Sequence, residues 1–125
     1  MYEDEAVACL GKFLFSYEQA KRQTVGSLSG GERSRLQLAL LMVQQPNFLL
    51  LDEPTNNLDL PSAEVLEQAL DEFKGTVLVI SHDRYFLDKV VDRLVELQPE
   101  RGTLVEYLGG YTDYLAAQSV PAPRA

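Results

Sequence analysis

Two short apolar runs with a helix-patterned segment between them constrain this chain more than any other feature. Phe48 to Leu51 ends in Asp52 and Glu53, and the β-branched run Thr76 to Ile80 is followed directly by Ser81, His82 and Asp83. Short, continuously apolar runs of this kind read as strands covered on both faces. Between them Pro61 can open a helix whose Val65, Leu66, Ala69, Leu70 and Phe73 recur along one side, with Gly75 as its stop. Strand, helix and strand in that order form a βαβ unit, so the two strands run parallel and the crossover is right-handed. The expected class is therefore α/β with a parallel βαβ core.

The flanking segments add helices on one side and a hairpin on the other. Ala6, Val7, Leu10, Phe13 and Leu14 stand at helical spacing and predict an amphipathic helix over residues 3–15, followed by a polar loop over 16–27. Ser29 with Glu32 three positions on is a capping-box pattern, and it opens a buried helix through Val43 that Pro46 stops. Asp83 can cap a further helix through Val91. Residues 93–97 and 103–108 flank Pro99, Glu100, Arg101 and Gly102 as a hairpin, a short helix begins near Tyr111, and Ser119 to Ala125 reads as a flexible tail. One domain over 1–118 is expected, with a helical part over 3–45 and the strand-bearing part over 47–118.

Charge and size narrow the function classes. The chain has 125 residues and a net charge of −8, a balance that disfavours broad contact with nucleic-acid phosphates or anionic lipid, so no direct DNA binding is expected. No apolar run approaches the ~20 residues of a membrane-spanning helix. The acidic N-terminus does not resemble a secretory signal, and the single cysteine, Cys9, reads as a small buried hydrophobe in an intracellular chain. A cytoplasmic domain with no membrane partner is expected, short for an enzyme that hydrolyses nucleotides by itself.

In open parallel sheets the reactive groups gather at the carboxyl ends of the strands, which here brings Asp52, Glu53 and His82 to one edge. An apolar strand followed by two carboxylates suits phosphoryl transfer, the first holding Mg²⁺ and the second positioning or deprotonating water. The plain alternative is two exposed carboxylates in a loop. Ser29, Gly30 and Gly31 at a helix N-terminus offer a hydroxyl and amides to an anion such as a γ-phosphate, or else Ser29 and Glu32 only cap their own helix. His82, the single histidine, follows a strand and can face a phosphate oxygen or serve structure alone.

Taken together these motifs resemble the ABC-type ATPases. Leu28-Ser29-Gly30-Gly31-Glu32 is similar to the ABC signature, Phe48 to Glu53 to the Walker B strand with its glutamate, Asn56-Asn57-Leu58-Asp59 to the D-loop, and Ser81-His82-Asp83 to the switch-histidine loop. They stand in the family's order and spacing, and the resemblance runs from Glu3 to about Leu115. Asp52 through Leu60, and Ser81 through Asp88 with its Arg84-Tyr85-Phe86-Leu87-Asp88 continuation, resemble the ABC-F subfamily more than transporter ATPases. Leu10-Gly11-Lys12-Phe13-Leu14-Phe15 points to the second of that subfamily's tandem domains.

The resemblance implies a partial P-loop NTPase fold, containing part of the helical signature subdomain and a C-terminal β-hairpin, in a protein that binds ATP and Mg²⁺. It implies Asp52 at the metal, Glu53 at the attacking water, His82 at the γ-phosphate and Asp59 in communication between domains. Ser29, Gly30 and Gly31 would meet the γ-phosphate held by another ABC domain, in cis or in trans. It also implies a ribosome partner for the intact protein, in translation or antibiotic resistance.

One departure separates this chain from a complete ATP site. No stretch matches the phosphate loop G-x-x-x-x-G-K-[ST]; Phe13 follows the sole Gly-Lys pair, Gly11-Lys12, and Ala6 stands where the first glycine belongs. The glutamine loop and adenine-stacking strand are absent as well. The chain therefore reads as a fragment of an ATPase, inactive by itself, with two alternatives: a non-catalytic module that lends its signature to a partner, or an inert remnant.

Overall fold

The computed structural model describes residues 2–118, and the tail expected over 119–125 lies outside them. The chain divides into two compact units, Met1–Ile80 and Ser81–Ala125.

The first unit holds α1 (Glu3–Lys12), α2 (Tyr17–Arg22), α3 (Gly30–Val43), β1 (Phe48–Asp52), α4 (Leu60–Glu72) and β2 (Thr76–Ile80). β1 and β2 pair in parallel with Leu50 opposite Leu78 and Asp52 opposite Ile80, the βαβ arrangement expected. Its helical core joins Phe13, Phe15 and Ala39, all nearly inaccessible, to Leu10, Leu36, Met42, Val65 and Ala69. Cys9 packs against that cluster half-buried.

The helix expected over 3–15 ends at Lys12. Leu14 adopts φ 66, its amide bonds the Gly11 carbonyl at 3.2 Å, and the Phe15 amide reaches back to the Leu10 carbonyl at 3.1 Å. This pair of bonds closes a helix through a left-handed residue, a place where glycine is usual and where leucine gives no warning in the sequence. The turn brings both Phe13 and Phe15 into the core. The segment expected as a loop over 16–27 contains α2, because Ser16 and Gln19 form a second capping box: the Gln19 amide donates to Ser16 Oγ at 3.2 Å and the Ser16 amide to Gln19 Oε1 at 3.0 Å.

The parallel sheet is open on one face. Leu49 is buried and Leu51, Val77 and Val79 are half-buried, but Phe48, Leu50, Leu78 and Ile80 on the opposite face are 50 to 61% exposed. The runs expected to be covered on both faces are covered on one, since the first unit supplies a layer on one face only. α4 stops at Glu72, with Phe73 extended after it, rather than at Gly75. Gly75 serves the strand entry instead: a Cβ there would stand 2.4 Å from the Asn47 carbonyl oxygen, which accepts from the Thr76 amide at 3.0 Å.

The second unit holds α5 (Arg84–Val90), β3 (Arg93–Gln98), β4 (Thr103–Leu108) and α6 (Tyr111–Gln118). β3 and β4 form the expected antiparallel hairpin, turned at Gly102 with φ 63. α6 lies on one of its faces. The Tyr114 ring meets Tyr107 edge-on at 4.8 Å, the Tyr114 hydroxyl donates to Glu96, and Gln118 Nε2 donates to the same carboxylate at 3.1 Å. Asp88 of α5 anchors the start of α6 by accepting from the Thr112 amide at 2.9 Å and its hydroxyl at 2.8 Å.

Candidate functional site

The first group of candidates lies where β1 ends. Asp52 is the last residue of the strand, and the chain then reverses at Glu53, whose φ of 47 is left-handed. The Glu53 amide donates to the Ile80 carbonyl at 2.7 Å, so the ladder between the strands is carried one residue past β1 while the backbone has already turned. A left-handed conformation at a non-glycine residue costs about 1–2 kcal/mol, and such strain gathers where a side chain must be aimed. The turn is closed by the Asn56 amide on the Glu53 carbonyl and the Leu58 amide on the Thr55 carbonyl, both at 3.2 Å, with Asn57 also left-handed at φ 62. Asparagine tolerates that conformation well.

Asp52, Glu53 and Asn56 share the wall of one cavity of about 310 Å³ with Arg35 and Leu38 of α3 and Ser62 of α4. No group of three or more His, Cys, Asp or Glu side chains among the described residues forms a closed metal site. One exposed carboxylate beside an open cavity nevertheless fits Mg²⁺, which keeps much of its water and takes one or two protein carboxylates together with substrate phosphates.

Asp59 sits at the end of this turn and caps α4, accepting from the Ser62 amide at 3.0 Å. Its carboxyl is held below the ordinary range by the Ser62 side chain first and then by that amide, with the Arg35 guanidinium adding to the effect. Asp59 is exposed and is outside the cavity lining.

The second group is the N-terminus of α3. Ser29 Oγ accepts from the Glu32 amide at 3.2 Å and Glu32 Oε1 accepts from the Ser29 amide at 3.0 Å, so the capping reading holds in full. The Ser29 amide, ahead of its side chain, depresses the Glu32 carboxyl. Capping leaves the Ser29 hydroxyl its own proton to donate. A Cβ on Gly30 or Gly31 would meet nothing within 4 Å, so neither glycine is required by packing inside the chain. The room they leave opens outward. These residues do not line the cavity at Asp52 and Glu53.

His82 belongs to the second unit, two residues past the end of β2, and is exposed. Its backbone is set by the Asp83 amide on Ser81 Oγ at 3.0 Å and by Asp83 Oδ1 capping α5 through the Phe86 amide at 3.1 Å. Within the first unit, then, the structure joins Asp52 to Glu53, places Asp59 beyond the turn and keeps Ser29, Gly30 and Gly31 at a separate helix end.

Two residues that the sequence reading passed over bind the helical part together. Arg35 Nη1 donates to the Phe13 and Leu14 carbonyls at 3.0 and 3.1 Å, and the guanidinium lies 5.2 Å from the Phe15 ring centre. Gln19 Nε2 donates to Glu32 Oε2 at 2.8 Å. The Ser16-x-x-Gln19 capping pattern was the available signal for the second; for Arg35 the sequence holds none.

Comparison with known proteins finds similarity in sequence and in fold. The ABC transporter family model matches residues 3–56. The chain is 54% identical to the putative ATP-binding protein YdiF of Bacillus subtilis (strain 168), across 90% of this chain and 17% of that protein. It is 46% identical to ABC transporter F family member 2 of Arabidopsis thaliana, across 90% of this chain and 16% of that one. Against the energy-dependent translational throttle protein EttA of Escherichia coli (strain K12) it is 49% identical, across 86% of this chain and 19% of EttA. The chain thus spans about a fifth or less of these relatives. In fold it is similar to a solved SMC ATPase, described for its ATP-driven dimerization and DNA-stimulated activation, with a TM-score of 0.56 at 16% identity over 80% of this chain and 65% of that one.

Proposed function

We propose, for a chain that is part of an ABC-type ATPase domain and counts ABC-F proteins among its relatives, that it supplies the hydrolytic carboxylate and the signature motif to ATP hydrolysis. The observation that carries this reading is the pairing at the end of β1. Asp52 closes the strand, and Glu53, turned into a left-handed conformation and locked to Ile80 by its amide, shares the cavity wall with it.

In this reading Asp52 takes Mg²⁺, which would offset charge on the phosphates, and the Glu53 carboxylate orients and deprotonates the attacking water. His82 bonds the γ-phosphate. Ser29, Gly30 and Gly31 present a hydroxyl and helix-terminal amides to the γ-phosphate of another ABC domain, in cis or in trans, and the outward room at both glycines supports an approach from outside the chain. Asp59 stands between the turn after Glu53 and α4, a position suited to passing closure at one site to the other. No phosphate loop motif occurs in the 125 residues, and in this reading the loop is supplied from outside them.

The wider setting is our inference from the relatives. A cytoplasmic protein whose second ABC domain includes this chain, acting at the ribosome as the translational throttle name of EttA suggests for that protein, is the setting we infer. A second reading, a module that lends its signature without hydrolysis, draws on the same lack of a phosphate loop. The two separate in a protein made by joining this chain to the complementary portion of the Bacillus subtilis relative. Hydrolysis lost in Glu53→Gln supports the first, and hydrolysis indifferent to Glu53 supports the second.

A further inference from the structure

We propose that Gln19 is a positioning residue for the signature motif, tying the N-terminal cap of α2 to the N-terminal cap of α3 and so fixing where Ser29, Gly30 and Gly31 are presented. The inference rests on the reading that these three residues meet a phosphate.

A continuous run of hydrogen bonds joins the two helix starts. The Ser16 amide donates to Gln19 Oε1 at 3.0 Å, Gln19 Nε2 donates to Glu32 Oε2 at 2.8 Å, and Glu32 Oε1 accepts from the Ser29 amide at 3.0 Å. Gln19 and Glu32 are both half-buried. One primary amide is thus used at both ends, its oxygen in its own helix cap and its nitrogen on the carboxylate that caps the signature helix. An amide has the two polarities this requires, whereas a carboxylate or an ammonium has one. The bond is charge-assisted because Glu32 is held in its ionised form by the Ser29 amide.

Arg35 makes a separate tie one turn further along α3. It grips the carbonyls of the turn between α1 and α2 and lies against the core ring Phe15. Arg35 therefore secures the packing of the segment, while Gln19 reaches the cap. With the helix body already held by Arg35 and the Phe13, Phe15 and Ala39 core, loss of the Gln19 bond frees the Glu32 side chain and the Ser29 amide without releasing α3.

The test exchanges the two groups. Gln19→Glu keeps the acceptor for the Ser16 amide but sets a carboxylate against Glu32, so the link breaks. Carrying both Gln19→Glu and Glu32→Gln restores every bond with the polarity reversed: the carboxylate on α2 accepts, and the amide on α3 donates across and accepts from Ser29. In the full chain, amide hydrogen exchange at Ser29 should lose about tenfold in protection in Gln19→Glu and recover it in the exchanged pair, the size expected for a charge-assisted bond. Thermal unfolding of the same three proteins shows whether exchange reports the cap or global opening. In the protein joined to the complementary portion of the Bacillus subtilis relative, Gln19→Glu should raise KM for ATP about tenfold with kcat kept within about twofold, again reversed by the exchange. A merely destabilised protein would lose kcat at all ATP concentrations. Unchanged Ser29 protection, or an exchanged pair that recovers nothing, overturns the positioning role. Glu53→Gln in the joined protein reports independently on the hydrolytic reading: if that variant turns over normally the reading itself fails, whatever Gln19 does.

Discussion

The Glu53 amide donates to the Ile80 carbonyl at 2.7 Å although Glu53 has already left strand geometry, with φ 47. One residue thus both continues the ladder between β1 and β2 and turns its side chain away from the strand line. The backbone of Glu53 is held by main-chain bonds at its amide and at its carbonyl, which accepts from the Asn56 amide. Side-chain changes at this position should therefore leave the turn in place.

That strain is measurable. Glu53→Ala and Glu53→Gly both remove the carboxylate, but only glycine adopts a positive φ at no steric cost. In urea unfolding of the chain, Glu53→Gly should be more stable than Glu53→Ala by about 1 kcal/mol. Equal stability would mean that the left-handed turn is not kept in solution.

Leu49, 2% exposed in β1, is the best-buried strand residue. Leu49→Ala should cost about 2–5 kcal/mol by loss of buried methyl groups and the cavity left behind. Asp59→Ala removes the cap of α4 and should cost roughly 0.5–2 kcal/mol. Both are read from denaturant midpoints, and a smaller loss at Leu49 than at Asp59 would contradict the packing described.

The dependence of stability on pH has two arms. Glu32, Asp59, Asp88 and Glu96 carry carboxyls held below their ordinary values, chiefly by the Ser29 amide, the Ser62 side chain, the Thr112 amide and the Tyr114 hydroxyl respectively. A depressed carboxyl stabilises the folded state above its unfolded value and loses that contribution as pH falls through its folded value. Stability should therefore decline below about pH 4, where ordinary carboxyls begin to protonate. Tyr114 has the opposite sign: bonded to Glu96, it is pushed up to about 12, so its contribution is whole below pH 10 and lost as pH rises toward 12. Tyr114→Phe should reduce the alkaline arm and remove the Glu96 share of the acid arm, leaving the shares of Glu32, Asp59 and Asp88, as followed by circular dichroism across pH.

The open sheet should make the chain self-associate. β1 and β2 form a two-stranded sheet with Phe48, Leu50, Leu78 and Ile80 exposed on one face, and unpaired strand edges recruit other chains. Sedimentation velocity should show association that falls in Leu78→Lys, on the open face, and that is relieved when the complementary portion of the Bacillus subtilis relative is added. Monomeric wild-type chain would refute this.

How much of this was legible in the sequence depended on whether the determining interaction was local. The Ser29 and Glu32 cap and the hairpin at Gly102 each rest on a pattern within a few residues, the parallel pair rests on the order of strand, helix and strand, and each stands where the pattern put it. The end of α1 did not, because Leu14 occupies a left-handed position for which a bulky residue is no signal. α2 was hidden by its polar composition even though Ser16 and Gln19 carry a capping box. The open face of the sheet was misread for a different reason: an apolar strand records the burial it requires, not which polypeptide provides it. At the site, Asp52, Glu53 and Asp59 follow from their strand and turn, while Arg35 and Gln19 act over separations of 22 and 13 residues that no local pattern reveals.

Without a phosphate loop the triphosphate lacks the amides and lysine that would hold it, so the chain by itself should release no phosphate from ATP above background. Release by the purified chain that vanishes in Glu53→Gln would show that the loop is dispensable.

The most direct measurement compares the joined protein before and after Glu53→Gln, with any second hydrolytic glutamate in the complementary portion already neutralised. Bound nucleotide and phosphate release are followed together after addition of ATP and Mg²⁺. If Glu53 deprotonates the attacking water, the variant retains ATP while release falls by a factor of at least about 100, the lower range for loss of a general base. Release at the unsubstituted rate, with ATP turned over as before, would contradict the assignment of Glu53 and with it the account of this site.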